Sequence, residues 1–231
     1  MVRLGVVSGL LVEIRCLEVR TSASVEVVAF ATGARPGRAY EGAQRMIRAG
    51  ATALASFGFA GALAPDLRPG TLVVPSVIVA PTGKRYEADP EWRGRLVKRV
   101  GAIDGGPILG SDSPLATVQD KARARRETDA VAVDMESHGV AAAAHEAGVP
   151  FIAVRSISDG ADMAIPSAAL RAVAPDGGQH ALGVLLGLIQ APWEILALLR
   201  LARDSQKALA ALRRVARLSL GGLALDVKVG Q

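Results

Sequence analysis

Apolar residues arrive along this chain in two rhythms that take turns. Short, almost wholly apolar runs at residues 2–7, 25–31, 52–57, 107–109, 130–134 and 151–156 read as buried strands. Between them lie stretches with helical spacing. Residues 38–49 place Ala39, Ala43, Met46 and Ile47 on one stripe that Gly50 ends, and the alanine-rich 136–147 stops at Gly148. A polar helix is predicted at 117–127 and another at 89–100, opened by Asp89-Pro90. Asp is a good N-cap and Pro suits the first helical position. Residues 71–79 are β-branched on both sides of Pro75, which predicts a strand bent or edge-placed at the proline. The Gly-rich segment 58–61 predicts a turn, and Gly105-Gly106 a loop.

Doubly buried strands alternating with helices define an α/β protein, a mainly parallel sheet covered on both faces. Ligands in such folds sit beyond the carboxyl ends of the strands. The polar residues gather there, at 8–13, 58–61, 134–136 and 158–162. No G-x-G-x-x-G follows the first strand and no G-x-x-x-x-G-K-[ST] occurs, which argues against dinucleotide oxidoreductases and P-loop enzymes.

The rhythm changes after residue 175, so a catalytic domain over 1–175 and a helical extension over 176–231 are expected. Residues 181–200 are long and apolar enough to suggest a membrane span. Gln190, Pro192 and Glu194 interrupt them, and a central charge costs about 2.5–3.5 kcal/mol on insertion scales. Two helices broken at 190–192 fit better. The second runs to 217, with Ile195, Leu198, Leu199, Ala202, Leu209, Leu212 and Ala216 on one side and Arg200, Arg203, Lys207, Arg214 and Arg217 on the other. Gly221-Gly222 breaks it.

Composition narrows the picture. The 231 residues are half apolar and about a fifth charged, which is globular and fits one domain or one domain with a tail. Aromatics make up only 3%, beside 42 Ala and 25 Gly, so close backbone approach replaces large side chains in the core. The single cysteine, Cys16, excludes an internal disulfide and reads as core; a reducing, cytoplasmic compartment is expected. The first ten residues have no basic region leading into a cleavable apolar one, so no signal peptide is expected. Three histidines and one cysteine are too few for a structural zinc site, and His180 with Asp176 supplies only two ligands; no metal is expected. His138 and His145 share a helix face and read as packing or surface residues.

The formal net charge is +5, and residues 200–217, with six basic residues against Asp204, account for all of it. A basic amphipathic helix suits an anionic membrane surface, a sister subunit, or simple packing with a solvated arginine face. Nucleic acid is the least favoured partner, because no recognition module accompanies the stripe.

Four acids follow apolar strands: Glu13, Asp134, Glu136 and Asp159. Each alone fits a structural role. Glu136 suits a first helical turn, Asp159 an N-cap, and Asp134 a partner for Arg155. Carboxylates after three separate parallel strands, however, converge on one crevice, which caps have no need to do. Cleavage of a glycosidic C–N bond has a use for them. It builds positive charge on the sugar and negative charge on the base, so it needs a holder for the ribose hydroxyls, an acid for the base and a base for the nucleophile.

V-D-M-E at 133–136, R-S-I-S-D-G-A-D at 155–162 and F-A-G-A-L at 59–63 resemble the purine nucleoside phosphorylase and methylthioadenosine/S-adenosylhomocysteine nucleosidase superfamily, over residues 3–170. Within it, S-D-S-P-L-A at 111–116, D-M-E-S-H-G at 134–139 and the C-terminal segment are most similar to the hopanoid-biosynthesis branch. That resemblance implies an adenosylhopane-like substrate, an adenine nucleoside with a bulky apolar 5′ group. The superfamily implies a three-layer α/β/α fold with a central mixed, partly barrel-like sheet, here with extra C-terminal amphipathic helices, and a homodimer. It places Glu136 on the ribose hydroxyls above Met135, and Asp159 at purine N7 with Ser158 orienting it. Glu13 matches the acid that activates water, while Phe59, Gly61 and Leu115 are expected to line the substrate site.

The chain departs from the family in three places. Phe59 stands where a Ser or Thr is usual, Pro114-Leu115 replaces an aromatic against the base, and S-G-L-L-V-E-I-R replaces the phosphorylases' early phosphate loop. Ser8, Arg35 and Arg38 nevertheless form a candidate phosphate site near a helix N-terminus. Hydrolysis and phosphorolysis both stay open, with inorganic phosphate as co-substrate in the second case and no other cofactor implied. Other readings are an ordinary methylthioadenosine/S-adenosylhomocysteine nucleosidase, a general purine nucleoside phosphorylase, or a non-enzymatic nucleoside-binding peripheral membrane protein. A lipid-linked substrate would suit docking of residues 182–217 on the inner face of the membrane.

Overall fold

The computed structural model describes residues 2–17, 25–33, 37–102, 105–170, 192–219 and 223–225. In chain order the elements are β1 (Val2–Ser8), α1 (Leu11–Ile14) with a 3-10 turn (Arg15–Leu17), β2 (Val25–Ala31), α2 (Arg38–Arg48), β3 (Ala53–Ala62), β4 (Leu72–Val73), β5 (Val77–Val79), β6 (Arg85–Glu87) and α3 (Pro90–Val100). There follow β7 (Ile108–Gly110), α4 (Val118–Thr128), β8 (Ala132–Asp134), α5 (Ser137–Ala147), β9 (Phe151–Asp159), α6 (Ser167–Leu170), a 3-10 turn (Pro192–Glu194) and α7 (Ile195–Leu218). The predicted start of α3 holds: Asp89 Oδ1 accepts from the Trp92 amide at 2.8 Å, with Pro90 at the first position.

The strands form one sheet in the order β2-β1-β3-β8-β7-β5-β6, with β9 on the other edge of β3 and β4 beyond β9. It is more mixed than the strand pattern suggested, because β3–β8, β4–β9 and β5–β6 run antiparallel. The position of the functional crevice follows from β3. On one edge it pairs with β1 as far as Ser56, opposite Val7, and with β8 only from Gly61, opposite Val133. Because β8 runs against β3 while β1 runs with it, the carboxyl ends of β1 and β8 face each other across residues 57–60. A strand edge left open between two strand ends is where α/β folds bind ligands. The turn expected at 58–61 is instead continuous strand, since β9 pairs with β3 along the other edge as far as Gly61, with an irregularity at Ala60/Gly61.

Alternation along the strands sends side chains into two layers. On one face α2 and α5 cover the sheet, with Ala43, Met46, Val140 and Ala144 against Val7, Leu54 and Ile157. On the other, α3, α7 and the first 3-10 turn bring Trp92, Leu96, Leu209, Leu212 and Val215 against Leu4, Val6, Phe57 and Val154. Small residues permit the close approach that the composition implied. A Cβ on Gly139 would stand 2.9 Å from the Tyr40 backbone nitrogen, so α5 meets α2 at the glycine. Trp92, the largest fully buried side chain, donates its indole N–H to the Leu223 carbonyl at 2.7 Å.

The amphipathic stripe expected along α7 divides in two. Ala208, Leu209, Leu212, Val215 and Ala216 are buried in the core, whereas Trp193 and Leu196 are 76% and 75% exposed and Ile195 and Leu199 also face solvent. Over the first half of the helix the stripe keeps its period but faces solvent. The apolar run at 181–191 lies outside the described residues. Among the described residues, no helix is long and apolar enough to cross a membrane.

Candidate active site

The edge of β3 between β1 and β8 leaves an amide to satisfy, that of Phe59. Glu13 satisfies it. Its Oε1 accepts from the Phe59 amide at 2.7 Å, and its Oε2 accepts from the Leu10 amide at 2.8 Å, which closes the first turn of α1. Position 59 thus serves the site through its backbone, whatever its side chain. Gly58 makes this possible, since a Cβ there would stand 2.7 Å from Glu13 Oε1 and 2.8 Å from Arg155 Nη1. Burial pushes the Glu13 carboxyl above its ordinary value, against the pull of those amides and of Arg155.

Arg155, fully buried on β9, ties the site together. Its Nε donates to Asp134 Oδ2 at 2.6 Å, and its Nη2 to Ser56 and Ser137 hydroxyls. Asp134 in turn accepts from the Glu136 and Ser137 amides at 2.9 and 2.8 Å. It is a scaffold residue that starts α5, paired with Arg155 as its position suggested. Arg155 Nη2 also lies 3.8 Å from Glu136 Oε2. Among the described residues Nη1 has no hydrogen-bond partner, and it faces the Glu13 side.

Glu136 sits at the N-cap of α5 and presses against Gly9, where a Cβ would be 2.7 Å from Oε1. Burial pushes its carboxyl up to about 8; Arg155 opposes the rise, and Asp134 and Glu13 add to it. Asp159, the last residue of β9, lies opposite Gly61, whose missing Cβ leaves 3.0 Å to Oδ2. Ser158 donates to Asp159 Oδ1 at 2.7 Å, the orienting contact expected of it.

One cavity of about 210 Å³ collects these groups. Glu13, Glu136, Asp159, Met135, Ser158, Phe59, Gly61 and Leu115 all line it, with Pro114, Val133 and Ile165 as further aliphatic wall. The structure also places Lys121 there, which the sequence reading missed. It is 1% exposed, and its Nζ donates to Asp159 Oδ2 at 2.5 Å and to the Gly160 and Met163 carbonyls at 2.9 and 2.8 Å. The available signal was its place three residues before Ala124, on the buried side of α4.

The candidate phosphate residues do not join this group. Ser8 is buried and donates its hydroxyl to the Phe57 carbonyl at 2.6 Å, because it continues β1 beside β3. Arg38 stands over the Phe30 ring, 5.7 Å from its centre. Neither lines the cavity, and Arg35 lies outside the described residues. His138 contacts Asp112 at 3.2 Å and His145 packs edge-on against Tyr86, and neither lines the cavity.

The crevice lies at the open edge of a mixed α/β sheet, lined by acids from β9 and from the helices that follow β1 and β8. The family model described as "Phosphorylase superfamily" matches residues 15–190, and the chain belongs to that superfamily. Among curated proteins, the 5′-methylthioadenosine/S-adenosylhomocysteine nucleosidase of Treponema pallidum is 37% identical over 82 residues. That match covers 32% of this chain and 30% of the relative, so under a third of the relative's length is spanned. Of solved structures, the nucleosidase of the same description from Neisseria meningitidis, in complex with methylthio-immucillin-A, has a TM-score of 0.72 at 18% identity, covering 94% of this chain and 98% of that one. The futalosine hydrolase of Helicobacter pylori has a TM-score of 0.62 at 20% identity, covering 69% and 88%. These likenesses establish the three-layer fold with its mixed central sheet. They also correct the expectation of an adenosylhopane-like substrate: these relatives are methylthioadenosine/S-adenosylhomocysteine nucleosidases and a futalosine hydrolase.

Proposed function

We propose that the chain hydrolyses the N-glycosidic bond of adenine nucleosides of the 5′-methylthioadenosine and S-adenosylhomocysteine type. The observation that carries this reading is the convergence of Glu13, Glu136 and Asp159, from three separate elements, on one cavity. Glu136 accepts the ribose 2′- and 3′-hydroxyls, bonds that strengthen as the sugar flattens toward an oxocarbenium ion. Asp159 delivers a proton to purine N7, so that the base leaves neutral. Glu13 takes a proton from the attacking water; its raised affinity for protons and its fixed place at the Phe59 amide suit it to that task. Aliphatic side chains at Pro114, Leu115, Val133 and Ile165 supply the packing for the base and the 5′ group. Water is preferred to phosphate because Ser8 and Arg38 are engaged elsewhere.

Incubation with methylthioadenosine, S-adenosylhomocysteine and adenosine, each with and without phosphate, tests the proposal. Free adenine and the free sugar (5-methylthioribose, S-ribosylhomocysteine or ribose, according to substrate), at a rate independent of phosphate, are the expected products. A ribose-1-phosphate product, or no adenine release from any of the three, refutes it.

A second reading concerns location. The solvent-facing start of α7 and the turn before it set Trp193, Leu196 and Leu199 beside Arg200 and Arg203, which supports a peripheral attachment to anionic lipid.

A further inference from the structure

We propose that Lys121 is the proton source behind Asp159, supplying through that carboxylate the proton that the departing adenine takes at N7. The inference rests on the nucleosidase reading and extends it to a residue outside the family motifs. Lys121 reaches the site from α4, whose start is fixed by Thr117 Oγ1 accepting from the Asp120 amide at 3.0 Å. All three ammonium protons are placed: one on Asp159 Oδ2, two on the carbonyls of Gly160 and Met163. Asp159 Oδ1 accepts from Ser158, so both oxygens of the acid act as acceptors. In this resting arrangement the proton needed at N7 sits on lysine, 2.5 Å from the carboxylate that would pass it on.

The partners suit both protonation states. While the proton rests on Asp159, a neutral amine keeps two N–H groups for the two carbonyls and accepts from the Asp159 O–H through its lone pair, leaving no buried donor or acceptor unmatched. A purely structural cation would gain nothing from that match. In the reaction the C1′–N9 bond breaks and its electron pair enters the purine. N7 takes the proton from Asp159, and Asp159 takes one from Nζ. Water oxygen bonds to C1′ and its proton goes to Glu13. Lys121 and Glu13 return to their starting states through solvent as the products leave. Of the other charged groups nearby, Asp120 pairs with Arg123, and Asp162 lies beside Arg200, both toward solvent. Glu13 and Glu136 face the pair across the cavity.

The test compares two substrates on the full chain: methylthioadenosine, and 4-nitrophenyl 5-methylthio-β-ribofuranoside, whose leaving group needs no proton. Lys121→Met and Lys121→Arg should both lower kcat for methylthioadenosine by about 10²–10³-fold with KM little changed. Turnover of the nitrophenyl riboside should stay within a few-fold. Arg keeps the positive charge but does not release its proton, so it separates proton supply from electrostatic support. Recovery of methylthioadenosine turnover in Lys121→Arg, or an equal loss on both substrates, overturns the proposal. Wild-type protein gives an answer even if neither variant folds. Its rate should fall at high pH with methylthioadenosine and not with the nitrophenyl riboside; the same basic limb on both also overturns it. A wild-type chain that releases no adenine refutes the nucleosidase reading itself, a separate outcome.

Discussion

Glu136→Gln is the perturbation for which the structure gives a signed, measurable magnitude. With a carboxyl at about 8 in the folded chain and about 4.5 when unfolded, Glu136 binds a proton in the native state over a range where the unfolded chain does not. Its contribution to stability is therefore complete below the unfolded value, declines as pH rises, and is lost by about pH 8. Between pH 5 and pH 7 the loss is about 2.5 kcal/mol, at 1.36 kcal/mol per unit once well above the unfolded value. Unfolding entropy scales at about 2.1 cal/mol/K per residue, so for a chain of this length the loss corresponds to about 5 °C in Tm. Glutamine imitates the protonated acid and carries no such dependence. Wild type and Glu136→Gln should melt together near pH 5, and the variant should be more stable by several degrees at pH 7–8. Scanning fluorimetry across pH 5–8 measures the difference, in which groups common to both proteins cancel. Substrate hydroxyls favour the ionised form, so methylthioadenosine binding at pH 7 should release a proton in wild type and none from this site in the variant. Parallel Tm curves from pH 5 to pH 8 refute both the burial argument and the assignment of the titration to Glu136.

Other consequences follow from particular contacts. Asp159→Asn should reduce methylthioadenosine turnover by about 10²–10⁴-fold with the fold intact, and unchanged turnover in a folded variant removes Asp159 from the chemistry. Gly58→Ala puts a methyl group 2.7 Å from Glu13 Oε1 and 2.8 Å from Arg155 Nη1. It should lower kcat by about 10²-fold through a displaced carboxylate, measured beside a Tm that moves little. Arg155→Met leaves Asp134 buried without its cation and should destabilise the fold by about 3–5 kcal/mol in denaturant titration. Trp193→Ser with Leu196→Ser should abolish co-sedimentation with anionic liposomes at low salt and leave turnover of soluble substrate unchanged; wild type that fails to sediment there ends the membrane reading.

The alternation of buried strands and helices was readable because each period is local, as were the Asp89 cap and the acids that follow apolar runs. What escaped the sequence depended on distant partners. Residues 58–61 have the composition of a turn, yet they are strand because β9, almost a hundred residues later, pairs with them as far as Gly61. Lysine in a charged helix reads as solvated, and only the register of α4 against the loop at 160–163 turns Lys121 inward. Periodicity identified the stripe on α7, but which half of it is buried is set by tertiary geometry, so Leu209 and Leu199 share a pattern and not an environment. The bulky apolar 5′ group was expected from the motifs at 111–116 and 134–139 and from the C-terminal segment, and such short local signals do not report what a cavity assembled from distant segments accepts.

The arrangement also explains how a core of alanine and valine tolerates so many charges. Arg155 with Asp134, and Lys121 with Asp159, are buried opposite-charge pairs whose remaining donors meet hydroxyls or carbonyls, Nη1 of Arg155 excepted. Such pairs persist in an apolar interior only when nearly every lone pair and proton has a partner. Burial raises the proton affinity of the other two acids, Glu13 and Glu136, while the Leu10 and Phe59 amides for the first and Arg155, 3.8 Å away, for the second favour the ionised form. Under the proposed roles, the reaction begins by disturbing that balance. Ribose hydroxyls stabilise the ionised form of Glu136, and its negative charge then lies beside the sugar as C1′ becomes positive. At the purine end, the proton lost from the Lys121–Asp159 pair leaves with a neutral base. Glycines at 9, 58 and 61 let the three acids approach the backbone this closely, and a side chain at any of them would loosen the fit on which this charge balance depends.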